Sequence, residues 1–494
     1  MPESSSSWRR LRARRGSDRS TMALARTLSS LGRAALASPR LVRTASLGLD
    51  RAFSSTSSSA SSTTSTSSSE LGTQAEVRRH VEGLIKFRGG PITFAEYMKT
   101  SLGSPVGGYY GDKYVGKEGE RAPVIGARGD FVTSPEISQL FGEMVGVWCL
   151  TVWQQLGSPD TLRLVELGPG KGTLMADLLR STGSPSPIFH SFQSALYNGE
   201  KAGVSLVEIS PAFREAQADK LSKFQKDGKG LNLEWHSALS DVPRDNTPTI
   251  YIAHEFLDAL PVHMFVKKGA GWTELLVNLE DAQPVSLDPN AKPPEPQFVN
   301  MLSPGETPAM KMLLKPKLHT LGDATRAEIR EVEVSASAIE HALDLGERLV
   351  SSKGGGAALF MDYGYEELPG RFTCRAIRDH KVLDDLLASG ADITADVDFG
   401  ALKWAVENYQ WGEKAPKVFG AVTQAQFLLS CGIGHRVQAL LESPGISEKQ
   451  AQELVQGYTR LVGGSADEGM GEVYKAMALV STPESTEPGV PVGF

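Results

Sequence analysis

An α/β fold with a Rossmann-like, doubly wound and mostly parallel sheet is what this 494-residue sequence predicts. Three observations carry that expectation. Residues 162–180, LRLVELGPGKGTLMADLLR, pass from a buried apolar strand into an amphipathic helix through a turn with glycine at 168, 170 and 172. Further apolar strands at 205–209, 249–253 and 357–361 alternate with helical stretches, as parallel-sheet units require. Acids stand near or just beyond strand ends, at Glu166, Glu208, Glu255 and Asp258, where the ligand crevice of an open sheet lies.

The chain opens with a segment that does not belong to this core. Residues 1–53 hold eleven arginines, no lysine and three acids, and from Met22 the leucines at 24, 28 and 31 share one helical face with Arg26 and Arg33 away from it. Arg-rich, Ser-rich and acid-poor composition resembles a mitochondrial presequence. Met22 is a candidate second start, and Arg51-Ala52-Phe53-Ser54 resembles a matrix-peptidase cleavage site, so the mature chain is expected to begin near Ser54. A disordered linker is expected at 54–75, because 54–69 is almost wholly Ser and Thr.

Removing eleven arginines and three acids from a net charge of −7 leaves −15. An acidic mature chain without a Lys/Arg cluster argues against nucleic acid as partner and suits a cationic substrate. Cys149, Cys374 and Cys431 stand far apart and form no C-x-x-C pair, which points to buried thiols rather than disulfides or zinc. The longest apolar stretches, such as 144–153, are too short to span a bilayer, so a soluble protein is expected. The sequence does not settle the oligomeric state.

Residues 76–160 read as an N-terminal helical region. Ser134 before Pro135, with Glu136 in the first turn, fits a capped start, and Ile137, Leu140, Phe141, Met144, Val145, Trp148 and Thr151 then trace one face of a long buried helix. Packing alone explains this helix as well as a functional role does.

The core is expected at 161–485, with a tail at 486–494. Its glycine turn is E-x-G-x-G-x-G, from Glu166 to Gly172. A phosphate-binding P-loop needs Lys-Ser/Thr after its last glycine, whereas Lys171 lies between two glycines. A dinucleotide fingerprint needs glycine one position later, where Thr173 stands. A class I S-adenosylmethionine methyltransferase fits best, with dinucleotide binding and a chance glycine turn as the alternatives: its ligand is a cationic sulfonium, which a nearby carboxylate such as Glu166 favours. Gly168, Gly170 and Gly172 let that ligand approach the backbone, and the helix N-terminus offers donors to its carboxylate tail. Glu208, near the end of the next strand, stands where ribose hydroxyls would lie, and Ser210-Pro211 starts the following helix.

The strand at 249–253 runs into His254-Glu255-Phe256-Leu257-Asp258. Paired carboxylates accept the forked donors of a guanidinium, fix its plane and offset its charge beside a second cation. Glu255 and Asp258 are three apart and share a face if the segment turns helically; structural capping or pairing is the alternative. His254 reads as an orienting partner, since no second histidine stands at ligand spacing. Residues 281–321, rich in proline and lysine, read as an insertion, and further elements are expected as helices at 335–350 and 423–430 and strands at 357–361 and 472–480.

DFVTSPEISQLFGE, LVELGPGKGTLMADLLR, HEFLDALPV, MDYGY and DITADVDF occur in that order. Together they resemble the MidA family of mitochondrial complex I assembly-factor protein arginine methyltransferases, over residues 76–480. The resemblance implies a class I methyltransferase fold using S-adenosyl-L-methionine, in the mitochondrial matrix, that symmetrically dimethylates an arginine of a core complex I subunit during assembly. It implies Gly168, Gly170 and Gly172 as the cofactor loop, Glu208 toward the ribose, and Glu255 with Asp258 as the acidic segment. Some members carry asparagine at the position of His254. An assembly chaperone that binds the same cofactor with dispensable catalysis, and a small-molecule methyltransferase, are the alternatives.

Overall fold

The computed structural model describes residues 68–104, 108–112, 133–183, 186–225, 230–280, 296–378, 380–388, 390–464, 469–483 and 487–494. The presequence expected at 1–53 lies outside the described residues. Helix Ser68–Arg88 occupies the end of the stretch expected to be linker.

Strands are numbered along the chain. The central sheet holds β2 (Arg163–Leu167), β3 (Gly203–Val207), β4 (Leu233–His236), β5 (Thr249–His254), β10 (Gly356–Tyr365), β15 (Lys417–Thr423) and β16 (Tyr474–Ser481), in the spatial order β4-β3-β2-β5-β10-β16-β15. Neighbours from β4 to β10 pair in parallel, and β16 is antiparallel to both β10 and β15. This is the doubly wound sheet the sequence predicts. The order reverses between β2 and β5, so a crevice opens there beyond the strands' carboxyl ends.

Both sheet faces are covered, which is why the strands read as nearly continuous apolar runs. Leu164, Ile250, Ile252, Leu359 and Met361 pack on one side with helices Gln139–Gln155 and Thr173–Thr182. Val165, Tyr251, Ala253, Ala358 and Phe360 alternate with them and pack on the other with helices Ala336–Ser351 and Phe399–Asn408. Phe360 is fully buried, and its truncation to alanine is worth ~3–5 kcal/mol.

A second sheet sits beside the first: β9 (Glu331–Val334), β6 (His263–Lys268) and β7 (Gly271–Glu280), with β1 (Ile92–Thr93) and β8 (Gln297–Leu302) both pairing to β7. The inserted body therefore spans His263 to Val334, beyond the expected 281–321, of which 281–295 lie outside the described residues. β6 and β7 are only partly buried, in place of the continuous burial of β2 and β3, and β6 ends in Lys267 and Lys268. The N-terminal region is likewise more than helical, since β1 joins this sheet and Thr93 closes a capping box on helix Phe94–Gly103 by exchanging bonds with Glu96. A third sheet, β12 (Lys381–Leu383), β11 (Arg375–Arg378) and β13 (Asp392–Thr394), lies between β10 and β14 (Val397–Asp398) in the chain.

The long helix expected from Ser134 is two helices. Thr133 precedes a short turn, Ser134–Ile137, and Ser138 is extended (φ −159°, ψ 137°) before Gln139–Gln155. Ser134 is the first helical residue, not the cap, and Thr133 before it makes no side-chain cap bond; the Ser138 hydroxyl accepts from Leu140 N–H at 3.3 Å, so the chain is re-aimed at Ser138 and capped there. Among the described residues no helix is long and apolar enough to cross a membrane. Cys149 and Cys431 are buried, Cys374 is half-buried, and all three are free thiols.

Candidate active site

A cavity of about 720 Å³ opens at the carboxyl ends of β2, β3, β5 and β10. Glu166, Gly168, Gly170, Glu208, Glu255 and Asp258 all line it, so the strand-end acids and the loop meet around one space. Gly172 lies just behind, as the N-cap of helix Thr173–Thr182.

The glycine-loop half is set by backbone shape. Gly168, Gly170 and Gly172 all have left-handed φ, at 63°, 51° and 73°. A Cβ at Gly168 would stand 2.9 Å from Cδ2 of Phe256, in a conformation L side chains rarely adopt. Gly172 brings no side-chain cap to the ten-residue helix it precedes, which leaves the helix's first N–H groups open to a ligand anion. Glu166 is buried, and its Oε2 has no hydrogen-bond partner. Burial, then the charge of Glu208, pushes its carboxyl up to about 8, opposed by Lys220. Glu208 is better supplied: Oε1 accepts from Ser210 N–H at 2.8 Å and Oε2 from Gln217 Nε2 at 3.3 Å, while burial still raises its carboxyl. At the loop's outer edge the Lys220 ammonium donates to Thr173 Oγ1 at 2.5 Å, and Thr173 donates to Glu136.

This half fits S-adenosyl-L-methionine. An orphaned buried carboxylate oxygen favours a cationic ligand, a side-chain-free turn admits its bulk, and an uncapped helix start can receive its carboxylate.

The other half is acidic and assembled from distant segments. Glu255 has φ 46°, a left-handed backbone for a residue with a side chain, while its N–H donates to Met361 O at 2.9 Å. Its Oε1 accepts from Ser134 N–H at 3.2 Å, and the Tyr474 hydroxyl donates to the same carboxylate. Burial, then the charge of Asp258, pushes Glu255 up to about 8. Asp258 Oδ2 accepts from the Thr394 hydroxyl at 2.9 Å and from the Tyr363 hydroxyl, whereas its buried Oδ1 has no partner. Burial raises Asp258 too.

The helical turn that would put Glu255 and Asp258 on one face is absent; these residues form bends and a non-helical turn. Asp362 is the reason. Its Oδ2 accepts from the N–H groups of both Leu257 and Asp258, at 3.0 and 3.2 Å, and draws the turn onto the end of β10. Glu255 and Asp258 still face one cavity, held there by that acid rather than by helical spacing. Asp362 itself lies well above the usual carboxylate range, through burial and the charges of Asp258 and Glu255.

His254 is buried against Phe141, with ring centroids 4.7 Å apart, and burial pulls it down to about 3, so it is neutral. Its Nε2 lies 3.3 Å from Glu255 Oε1 without a hydrogen bond's geometry, so the expected orienting bond is not formed. Sequence reading missed Tyr363, Tyr474, Thr394, Tyr110 and Arg375, which line the acidic half. MDYGY and DITADVDF contain or adjoin two of them, but nothing local says that their hydroxyls converge on Asp258.

Residues 144–415 match the family described as "Putative S-adenosyl-L-methionine-dependent methyltransferase". The chain is similar to curated proteins named protein arginine methyltransferase NDUFAF7, mitochondrial. It is 36% identical to that of Danio rerio over 409 residues, covering 80% of this chain and 84% of the relative. For Homo sapiens the figures are 36% over 418 residues, 81% and 82%. The Caenorhabditis elegans homolog is 34% identical over 424 residues, covering 82% and 87%. In fold, the chain resembles a crystal structure from Burkholderia thailandensis bound to S-adenosyl-homocysteine, with a TM-score of 0.65 at 24% identity over 88% of this chain and 98% of that one.

Proposed function

This chain belongs to that family of S-adenosyl-L-methionine-dependent methyltransferases, and from this premise we propose that it methylates an arginine side chain of a mitochondrial protein. One observation carries the choice of acceptor: Glu255 and Asp258, half-buried, line the same cavity as the glycine loop, and Asp362 is buried behind them beneath their turn. Three acids that repel one another out of water are stabilised by a bound cation, and a guanidinium offers planar donors for two carboxylates at once.

When bound, the cofactor supplies a methyl group on a sulfonium. Gly168 and Gly170 would border it, the start of helix Thr173–Thr182 behind Gly172 would hold its carboxylate tail, Glu208 would accept from its ribose hydroxyls, and Glu166 would stand near its charge. Glu255 and Asp258 orient the acceptor guanidinium. The nitrogen that takes the methyl group must shed a proton. Glu255, whose carboxyl titrates near 8 before the acceptor enters, is suited to receive it.

The relatives' names and the presequence-like residues 1–53 support a mitochondrial, matrix location. A core subunit of respiratory complex I as acceptor, symmetric dimethylation and a part in complex I assembly rest on the family resemblance of the motifs.

The test is transfer of labelled methyl from S-adenosylmethionine to protein extracted from mitochondria that lack this enzyme, with calorimetry of S-adenosylhomocysteine binding alongside. Wild type is expected to label arginine and Glu255→Gln to lose transfer while keeping cofactor-product affinity. Transfer at the wild-type rate by Glu255→Gln would end this reading.

A further inference from the structure

Arg375 is a cation on the wall of a cavity built to receive a cation. Its guanidinium stacks on the Tyr363 ring, 4.7 Å from the centroid, and donates to Asp396 Oδ1 at 2.6 Å and to Thr373 O at 3.0 Å. The backbone that delivers it is clamped from the inserted sheet. Glu331 accepts from Phe372 N–H at 2.8 Å, and Glu333 accepts from Cys374 N–H at 2.8 Å, Thr373 N–H at 3.1 Å and the Thr373 hydroxyl at 2.6 Å. Thr373 Oγ1 in turn accepts from Asp396 N–H at 3.0 Å, so the arginine and its counter-ion belong to one knot. Held this way, Arg375 is fixed beside the acidic cluster rather than free to leave when an acceptor enters.

The arrangement has a direction. Arg375 packs on Tyr363; the Tyr363 hydroxyl, with that of Thr394, takes up Asp258 Oδ2; and Asp258 itself stands on the cavity wall. We propose that Arg375 is a positioning residue for methyl transfer: by stacking on Tyr363 it holds that hydroxyl on Asp258 Oδ2 and so fixes the orientation of the carboxylate that the acceptor's N–H groups meet. This rests on the acidic half being the acceptor site.

The charge balance supports the role. The groups whose charges bear on Asp258 are Glu255 from its own turn, Asp362 and Tyr363 from β10, Tyr474 from β16, Tyr110 from helix Tyr109–Asp112, with Asp392 behind that tyrosine, and Arg375 from β11. Arg375 is the single cation in this set. Its own charge is partly offset by Asp396, so it favours ionisation of Asp258 and the phenol next to it without filling the cavity with net positive potential.

The experiment is the pH dependence of initial methyl-transfer rates, pH 6 to 9, for the full chain with labelled S-adenosylmethionine and protein extracted from mitochondria lacking the enzyme. Arg375→Met should move the midpoint of the acid limb upward by about half a unit or more, and Arg375→Lys, which keeps the charge, should shift it less. Tyr363→Phe keeps the ring but removes the hydroxyl from Asp258, and should also shift the limb upward. Arg375→Met with Asp396→Asn removes the stranded counter-ion and should retain the shift. S-adenosylhomocysteine affinity should be unchanged in all four, which a misfolded variant would not satisfy. A limb in Tyr363→Phe that coincides with wild type overturns the proposal, as does a double variant restored to the wild-type midpoint, which would put the shift down to the freed Asp396. Wild-type transfer by Glu255→Gln removes the acceptor-site reading beneath it; an unmoved limb with Glu255→Gln inactive removes this inference alone.

Discussion

The two halves of the cavity are built in opposite ways. The glycine-loop half comes mostly from one continuous strand-turn-helix, residues 163–182, with Glu208 from the adjacent strand. The acidic half draws on Ser134, the 254–258 turn, the end of β10, β11, β13 and the start of β16, spread over more than three hundred residues. The first is shaped by backbone conformation and the second by side chains desolvated against one another. Damage to the loop should therefore appear as lost cofactor affinity, and damage to the acids as lost transfer.

The largest expected effects separate these outcomes. Glu255→Gln should lower kcat/KM by about 10³-fold with S-adenosylhomocysteine affinity intact, which single-turnover assays and calorimetry can check. Gly168→Ala should do the reverse. Its Cβ meets Phe256 at 2.9 Å in a left-handed conformation, so product affinity should fall roughly tenfold or more while any cofactor that does bind is still turned over. Equal loss of binding in both variants would mean the halves are not separable.

Their legibility in the sequence differs for the same reason. Gly168, Gly170, Gly172, Glu166 and Glu208 lie at fixed offsets from strand ends, and short-range pattern finds them. Glu255 and Asp258 are legible as acids after a strand; the condition under which helical spacing would put them on one face is not met, and Asp362, over a hundred residues on, makes that turn. Tyr363, Thr394 and Arg375 were not found, because hydroxyls that converge from β10 and β13, and an arginine delivered by a hairpin, leave no periodic trace. The fold follows the same rule. The parallel order is readable from alternation, whereas the second sheet is not, because its strands are half-exposed and mix apolar residues with charged ones such as Lys267, Lys268 and Glu274.

The acid limb of the pH profile sharpens the comparison next. Glu255 and Asp258 interact and titrate as a pair that would have to be ionised to receive a cation; the Glu255 carboxyl sits at about 8 in the free enzyme, burial raises that of Asp258, and a change that raises either moves the limb upward. kcat/KM should accordingly rise with pH and level off near 8, falling about tenfold per unit below it. A profile flat from pH 6 to 8 would take Glu255 out of the rate.

Stability should move the other way. Glu166 has a folded-state value of about 8 against an ordinary 4.5, so its contribution is fully present below about 4.5 and is lost as pH rises through about 8. The ligand-free protein should lose stability between pH 5 and 8, with Glu166 accounting for on the order of 3 kcal/mol. Glu166→Gln, which cannot ionise, should flatten that slope in urea titrations followed at each pH. An unchanged slope would mean that Glu166 keeps an ordinary carboxyl despite its burial.

The smallest effect concerns the backbone under the acid. At φ 46°, Glu255 occupies a conformation that costs a non-glycine residue about 1 kcal/mol or more. Ser134, Tyr474 and the bond to Met361 O hold it there. Glu255→Ala and Glu255→Gly remove the same carboxylate, so their difference isolates the backbone. The glycine variant should be the more stable by about 0.5–1 kcal/mol in urea unfolding, even after its larger chain entropy in the unfolded state, and both should be inactive. Alanine as the more stable would show that the left-handed turn is not strained. With glycine ahead, position 255 holds a carboxylate where a glycine would fold better, and the stability forgone there is retained for the side chain's chemistry.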